Sequence, residues 1–269
     1  MLTRLLTRIV CLSAVLWLSS SLPAAEAEGP LRLRVLSYNI HHAEGIDRKL
    51  DVQRIADVIK SVKPDIVALQ EVDQNVMRSD KVDQPAELAR LTGMQSAFGG
   101  NIKLQGGNYG NALLTRFEIK RHENHPLPII GQGEQRGVLE AELEVPGLKQ
   151  PLRFLATHLD HRPNDAERLA SVKLINELVA LTPTAPALLA GDLNDSPDSK
   201  TLEAFEKQWT PTTHKASPTF PSQKPNTQID FILYRPGERW KVIESKVLDE
   251  AVASDHRAIF SVIELLTAD

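Results

Sequence analysis

The stretch LRLRVLSYNIHHAEGIDRKLDVQRIADVIKSVKPDIVALQE, residues 31–71, holds a strand, a helix and a second strand in that order. Leu33 to Asn39 reads as a strand. Asp51 can cap the helix that follows, in which Val52, Ile55, Ala56, Ile59 and Val62 make one apolar stripe, and Pro64-Asp65 turns the chain into a strand over Ile66 to Gln70. A right-handed crossover makes the two strands parallel. Asn39 and Glu71 are then expected at carboxyl ends on one edge of a sheet, where ligands gather.

Working outward, Ala112 to Thr115, Val138 to Val145 and Leu152 to Thr157 read as further strands. Asn164 and Glu167 have the spacing of a capping box, ahead of a helix with Ala170, Leu174, Leu178 and Leu181 on one face. Leu188 to Gly191, Ile229 to Tyr234, Trp240 to Val247 and Arg257 to Leu265 complete the strands. Gly99-Gly100, Gly106-Gly107 and the Pro-rich stretch Thr210 to Pro225 are expected as surface loops. A strand-helix-strand unit at the start and long antiparallel stretches at the end imply an α/β sandwich with mixed sheets. From Leu31 onward there is no repeat, low-complexity tract or long linker, so one domain over residues 28–269 is the simplest account.

Residues 1–27 read as a signal peptide. Arg4 and Arg8 supply the charged start, Ile9 to Leu18 the apolar middle, and Ala25-Glu26-Ala27 the cleavage site, so the mature chain is expected to begin near Glu28, outside the cytoplasm, in the periplasm or beyond the cell. Cys11, the single cysteine, falls inside this segment, which leaves the mature chain without a disulfide or a thiolate metal ligand. The whole chain carries 31 Lys and Arg against 35 Asp and Glu, a net charge of −4. Cleavage removes two Arg and one Glu, giving 29 − 34 = −5. That balance lacks the basic stripe of a protein that grips long nucleic acid.

Polar residues recur at the strand ends. Asn39 follows LSY, Glu71 lies in LQEVD, His158 in THLDHR, Asp192 and Asn194 in GDLND, and Asp255-His256 in SDHRAIF; Asn111 in GNALLTR comes just before its strand and Asp230 in QIDFIL lies within one. In Asp-x-Asn at a strand tip the carboxylate and carboxamide face the same way. Taken in order, these motifs resemble the endonuclease/exonuclease/phosphatase superfamily, which includes DNase I, AP endonucleases of the exonuclease III type, neutral sphingomyelinases and inositol-polyphosphate 5-phosphatases. The resemblance spans roughly Leu31 to Leu266. It implies a DNase I-like four-layered α/β sandwich, two mixed sheets flanked by helices, and metal-dependent hydrolysis of a phosphoester.

By that resemblance the Asp192 counterpart orients or deprotonates the attacking water, the Asn194 counterpart stabilises phosphoryl oxygens, and the Asp230 counterpart pairs with that of His256. A hard cation such as Mg²⁺, with Mn²⁺ as the alternative, takes oxygen ligands and keeps several waters, so Asn39 and Glu71 suffice as an anchor, with Asp255 as a third contributor. A carboxylate beside His256 favours the protonated ring, and His158 and His256 can donate to oxygens that gain negative charge. Asn111 and Arg136, the latter in EQRGVLEAEL, are candidates on the substrate side. His41, His42, Asp160, His161 and Arg162 crowd the same edge, with His42 and His161 read as a loop charge cluster. The chain departs from the AP endonucleases in placing His41 where they carry an acidic residue.

The signal peptide and GNALLTR resemble small exported bacterial members and the hydrolase domain of eukaryotic proteins that remodel GPI-anchor lipids. A monomeric phosphodiesterase or phosphatase is expected, with nucleic acid, a lipid at a membrane surface, and a sugar or inositol phosphate all open as substrates. The rival from another class is a non-catalytic module that holds a metal or an anion on the same fold.

Overall fold

Arg32–Asn39 and Ile66–Gln74 pair in parallel, with Asn39 opposite Gln70, and the helix Val52–Ser61 makes the crossover. Its Asp51 cap accepts a hydrogen bond from the Arg54 amide, as the sequence predicts. The computed structural model describes residues 30–266, His214 excepted; the signal-peptide segment 1–27 lies outside the described residues. In chain order the elements are β1 (Arg32–Asn39), α1 (Val52–Ser61), β2 (Ile66–Gln74), α2 (Gln84–Thr92), β3 (Gln95–Leu104), β4 (Gly107–Thr115), β5 (Glu118–Pro126), β6 (Gly137–Glu144), β7 (Leu152–His158), α3 (Ala166–Ala180), β8 (Ala187–Asp192), α4 (Lys200–Glu206), β9 (Thr210–Pro211), β10 (Asp230–Arg235), β11 (Trp240–Val247) and β12 (Ile259–Leu265).

Among the described residues, twelve strands form two six-stranded mixed sheets, in the orders β11-β12-β1-β2-β4-β3 and β5-β6-β7-β8-β10-β9. Each contains one parallel pair, β1 with β2 and β7 with β8. The strand period of two explains the layers. Leu33 and Val35 of β1, Leu188 and Ala190 of β8 and Phe154 of β7 meet in the core between the sheets. Leu36 and Tyr38 face outward onto Ile55 and Ile59 of α1, while Leu189 faces outward onto Val172 and Ile175 of α3. Helix, sheet, sheet and helix make the four-layered DNase I-like sandwich, and the carboxyl ends of β1, β7 and β8 carry Asn39, His158 and Asp192.

Several local expectations are corrected. Gly99-Gly100 is not a loop but the middle of β3, where a Cβ on the facing Gly110 would run into the Gly99 carbonyl oxygen; Gln105-Gly106 is the turn between β3 and β4, and Gly107 opens β4. Thr210–Pro211 forms a short edge strand, and Thr219 and Ser222 farther along the Pro-rich stretch are buried. Asn164 and Glu167 make no capping box: Asn164 accepts from the Ala166 amide, and Glu167 turns instead to the Ile130 amide and Arg162. The buried side of α3 carries Arg168, Ser171, Val172, Ile175 and Val179, while Leu181 is 91% exposed. Arg168 is tolerated there because its guanidinium reaches Asp195 at 3.0 Å and the Asp160 carbonyl at 2.9 Å.

Candidate active site

Asp192 is the meeting point of the two sheets. In register it stands opposite His158 of β7 on one side and Asp230 of β10 on the other. Gly191 permits this packing, since a Cβ there would run into the Thr157 carbonyl oxygen. The Asp192 carboxylate accepts from the Asn194 amide at 2.9 Å and, across the gap between the sheets, from Asn39 Nδ2 at 3.1 Å. His158 Nε2 lies 3.4 Å and His256 Nε2 3.7 Å from its Oδ2. Burial and the neighbouring Asp230 charge, opposed in part by His256, push the Asp192 carboxyl up to about 7.

The two histidines are held in different states. Arg136 donates to His158 Nδ1 at 3.0 Å, and a guanidinium has no acceptor, so that nitrogen is unprotonated and Nε2 carries the hydrogen toward Asp192. Burial, with Arg136 adding to it, keeps His158 neutral, well below the ordinary histidine range. His256 Nδ1 lies 2.9 Å from Asp230 Oδ2. Burial opposes a charge on this ring, but Asp230 outweighs it, and the pKa rises to about 10. Arg136 is buried, 5% exposed, and also pairs with Glu134.

Glu71 sits inside β2, not beyond its end. A bulge between Leu69 and Val72 interrupts the pairing with β4, and Glu71 takes a left-handed backbone with φ of 58°. Asn39 Nδ2 donates to its Oε1 at 3.1 Å. His41 and His42 each bring a ring nitrogen close to the Glu71 carboxylate, and the three ligand atoms lie within 4.8 Å of one another. His42 is therefore no solvated loop charge: it is buried, and burial, with Arg78 next, lowers its pKa to about 4. A divalent cation fits here, because these ligand atoms lie close together and His42 Nδ1 is buried with no hydrogen-bond partner among the described residues. Asp192, Asp230 and His256 form a second compact group, in which a charged ring already lies between two carboxylates.

Other expected residues stand farther from these contacts. Asp255 joins neither group of neighbouring ligand atoms; its Oδ1 lies 3.3 Å from Ser254 Oγ. Asn194 donates its side-chain amide to the Leu159 carbonyl at 3.0 Å, and Asn111, 1% exposed, donates to the Gly137 carbonyl, tying the sheets together beneath the site. Asp160 is buried and bound by Arg162. His161 Nδ1 lies 3.3 Å from Arg136. Sequence reasoning assigned nothing to Ser254, whose hydroxyl donates to the Asn39 carbonyl at 2.7 Å and lies 3.2 Å from the His256 amide. Its place in SDH, beside a candidate pair, was the available signal.

Known proteins resemble this chain to different depths. The uncharacterized Escherichia coli K12 protein YbhP is 29% identical over 213 residues, covering 74% of this chain and 83% of its own. A 5'-tyrosyl-DNA phosphodiesterase of Caenorhabditis elegans is 28% identical over 213 residues, covering 73% of this chain but 55% of that longer protein. An endonuclease/exonuclease/phosphatase crystal structure from Beutenbergia cavernae superposes with a TM-score of 0.74 at 25% identity, over 87% of this chain and 72% of that one. The match to the family model begins at residue 36, in the strand that delivers Asn39, and ends at residue 256, the histidine held by Asp230; the chain belongs to the endonuclease/exonuclease/phosphatase family.

Proposed function

We propose that this phosphoester hydrolase is divalent-cation-dependent and that Asp192 activates the attacking water. The observation that carries the reading is the convergence on one buried carboxylate of Asn39, the Asn194 amide, His158 and His256. A base whose pKa lies near 7 can take a proton at neutral pH and release it again. The water oxygen bonds to phosphorus while its proton passes to Asp192, and the ester P–O bond breaks with its electron pair on the departing oxygen. Neutral His158 and charged His256 donate to the non-bridging oxygens as negative charge builds there. Arg136 backs His158 on the substrate side, while Asn111 and Asn194, whose side-chain amides bind the Gly137 and Leu159 carbonyls, hold the frame of the site from beneath.

A cation held at Glu71 and Asn39 would supply positive charge for the phosphoryl oxygens and a binding point for the ester. Taken alone, those two oxygen ligands favour Mg²⁺, with Mn²⁺ as the alternative. We place a small or lipid-linked phosphoester ahead of a polynucleotide, because a mature charge of −5 gives little general attraction to a polyanion. Similarity to a 5'-tyrosyl-DNA phosphodiesterase supports a nucleic-acid phosphodiester as the second reading. Export after cleavage near Glu28 completes the proposal, with the mature chain a monomer.

The test is to compare rates on single-stranded and duplex DNA, RNA, sphingomyelin, and sugar and inositol phosphates, with and without a chelator. Cation-dependent turnover of at least one class is expected. Chelator-resistant turnover would sink the metal assignment, and fast, salt-sensitive cleavage of DNA would reverse the substrate order. An Asp192→Asn variant that binds ligand as before, in a protein without turnover, would instead identify a binding module.

A further inference from the structure

We infer that His41 and His42 are metal ligands together with Glu71, so that the site takes an imidazole-seeking cation of the Zn²⁺ type in preference to Mg²⁺. This rests on the reading of the protein as a cation-dependent hydrolase and names the ligand chemistry of that same site. One nitrogen from each ring and one Glu71 oxygen lie within 4.8 Å of one another. Four-coordinate metal bonds of about 2.1 Å would set such atoms roughly 3.4 Å apart, so an inward movement of roughly 1 Å per ligand atom closes the set. Two imidazoles and one carboxylate leave a position open for water or a phosphoryl oxygen, as catalytic zinc sites do.

Each ring is prepared for this role. His41 Nδ1 lies 3.0 Å from the Glu44 carbonyl, which can only accept, so Nδ1 carries the hydrogen and a neutral ring leaves Nε2 as a lone pair. His42 is 8% exposed, and its Nδ1 has no hydrogen-bond partner among the described residues. Gln84 fixes the loop by donating to the His42 carbonyl at 2.7 Å. The backbones of His41, His42 and Glu71 all have positive φ, 45°, 44° and 58°, a conformation that bulky side chains adopt at a cost. The cost falls on the three residues whose ligand atoms converge. Oxygen ligands suit Mg²⁺, whereas imidazole suits zinc and its neighbours.

The metal-free protein is titrated with Zn²⁺ and separately with Mg²⁺, and the Zn²⁺ form is examined by X-ray absorption for imidazole scattering. His41→Asn and His42→Asn are the informative variants, since Asn tolerates a left-handed backbone. Each should weaken Zn²⁺ binding about 10-fold or more, leave Mg²⁺ affinity within about 2-fold, and reduce the imidazole scattering from that of two rings to that of one. Unchanged Zn²⁺ affinity in both variants, or no imidazole in the wild-type spectrum, overturns the inference; the wild-type spectrum decides even if a variant does not fold. Glu71→Gln separates the two readings. If it abolishes binding of both cations while the histidine variants change nothing, only the histidine ligation fails; if it affects neither, the cation site at Glu71 fails as well.

Discussion

His256 Nδ1 and Asp230 Oδ2 are 2.9 Å apart in a buried pair, and the other ring nitrogen of His256 faces Asp192 at 3.7 Å. One carboxylate thus orients and charges the ring while the opposite side faces the Asp192 carboxylate. Asp230→Asn and His256→Ala should each lower kcat by about 10² or more, and the double variant should be little worse than the more damaging single one. Steady-state kinetics on the four proteins checks this, and strictly additive losses would refute a shared role.

The same pair ties stability to pH. The ring's folded pKa of about 10 lies above its ordinary value of 6.5, so the pair's contribution is fully present below about 6.5 and is lost as pH rises through 10. Urea unfolding at pH 6, 8 and 10 should therefore show wild type losing part of its advantage over Asp230→Asn across that interval. A constant difference between the two proteins would contradict the charged ring.

Asp192 should act as a base whose availability sets the acid limb of the rate profile. In the metal-free protein its carboxyl is expected to titrate near 7, and an added cation should lower that midpoint by favouring the ionised form. Carbon-13 NMR of the Asp192 carboxyl follows both. Asp192→Asn should cut kcat by about 10² to 10⁴ while substrate affinity is largely kept. An affinity loss matching the loss of turnover would assign Asp192 to binding.

Arg136 fixes the tautomer of His158 by occupying Nδ1. Arg136→Met removes that donor, so the hydrogen can move to either nitrogen and the ring loses one of the influences that keep it neutral. A kcat loss of about 10-fold or more is expected. Nitrogen-15 NMR should find Nδ1 unprotonated in wild type and the tautomers mixed in the variant. A wild-type ring protonated at Nδ1 would exclude the arrangement.

The strand ends were legible because apolar runs stop abruptly at Asn39, His158 and Asp192, and two-residue periodicity predicts which side chains share a face. Glu71 was found by the same signal but misplaced, since a bulge carries β2 past it to Gln74. β5 escaped because EIKRHENHP is a mostly exposed edge strand with charges where alternation would show apolar residues. On α3, Arg168 and Ser171 are polar yet buried through hydrogen bonds, which shifts the inner face away from Leu181. The His41-His42 cluster depends on a left-handed loop, which pattern reading does not supply.

Ser254 joins the two halves of the site through one buried hydroxyl. It donates to the carbonyl of Asn39, in the first sheet, and accepts from the amide of His256, whose ring belongs with the second sheet's Asp192 and Asp230. Ser254→Ala leaves a buried carbonyl and a buried amide without these partners while removing only one oxygen atom. The expected cost is about 1–3 kcal/mol of stability, measured by urea unfolding. The rate should fall as well, because Asn39 and His256 approach Asp192 at 3.1 and 3.7 Å and each would relax independently. Ser254→Thr, which restores the hydroxyl at the expense of one buried methyl, should recover part of the lost kcat if the hydroxyl is what matters. If Ser254→Ala unfolds as readily as wild type and turns over at the wild-type rate, the hydroxyl does not hold Asn39 and His256 in place.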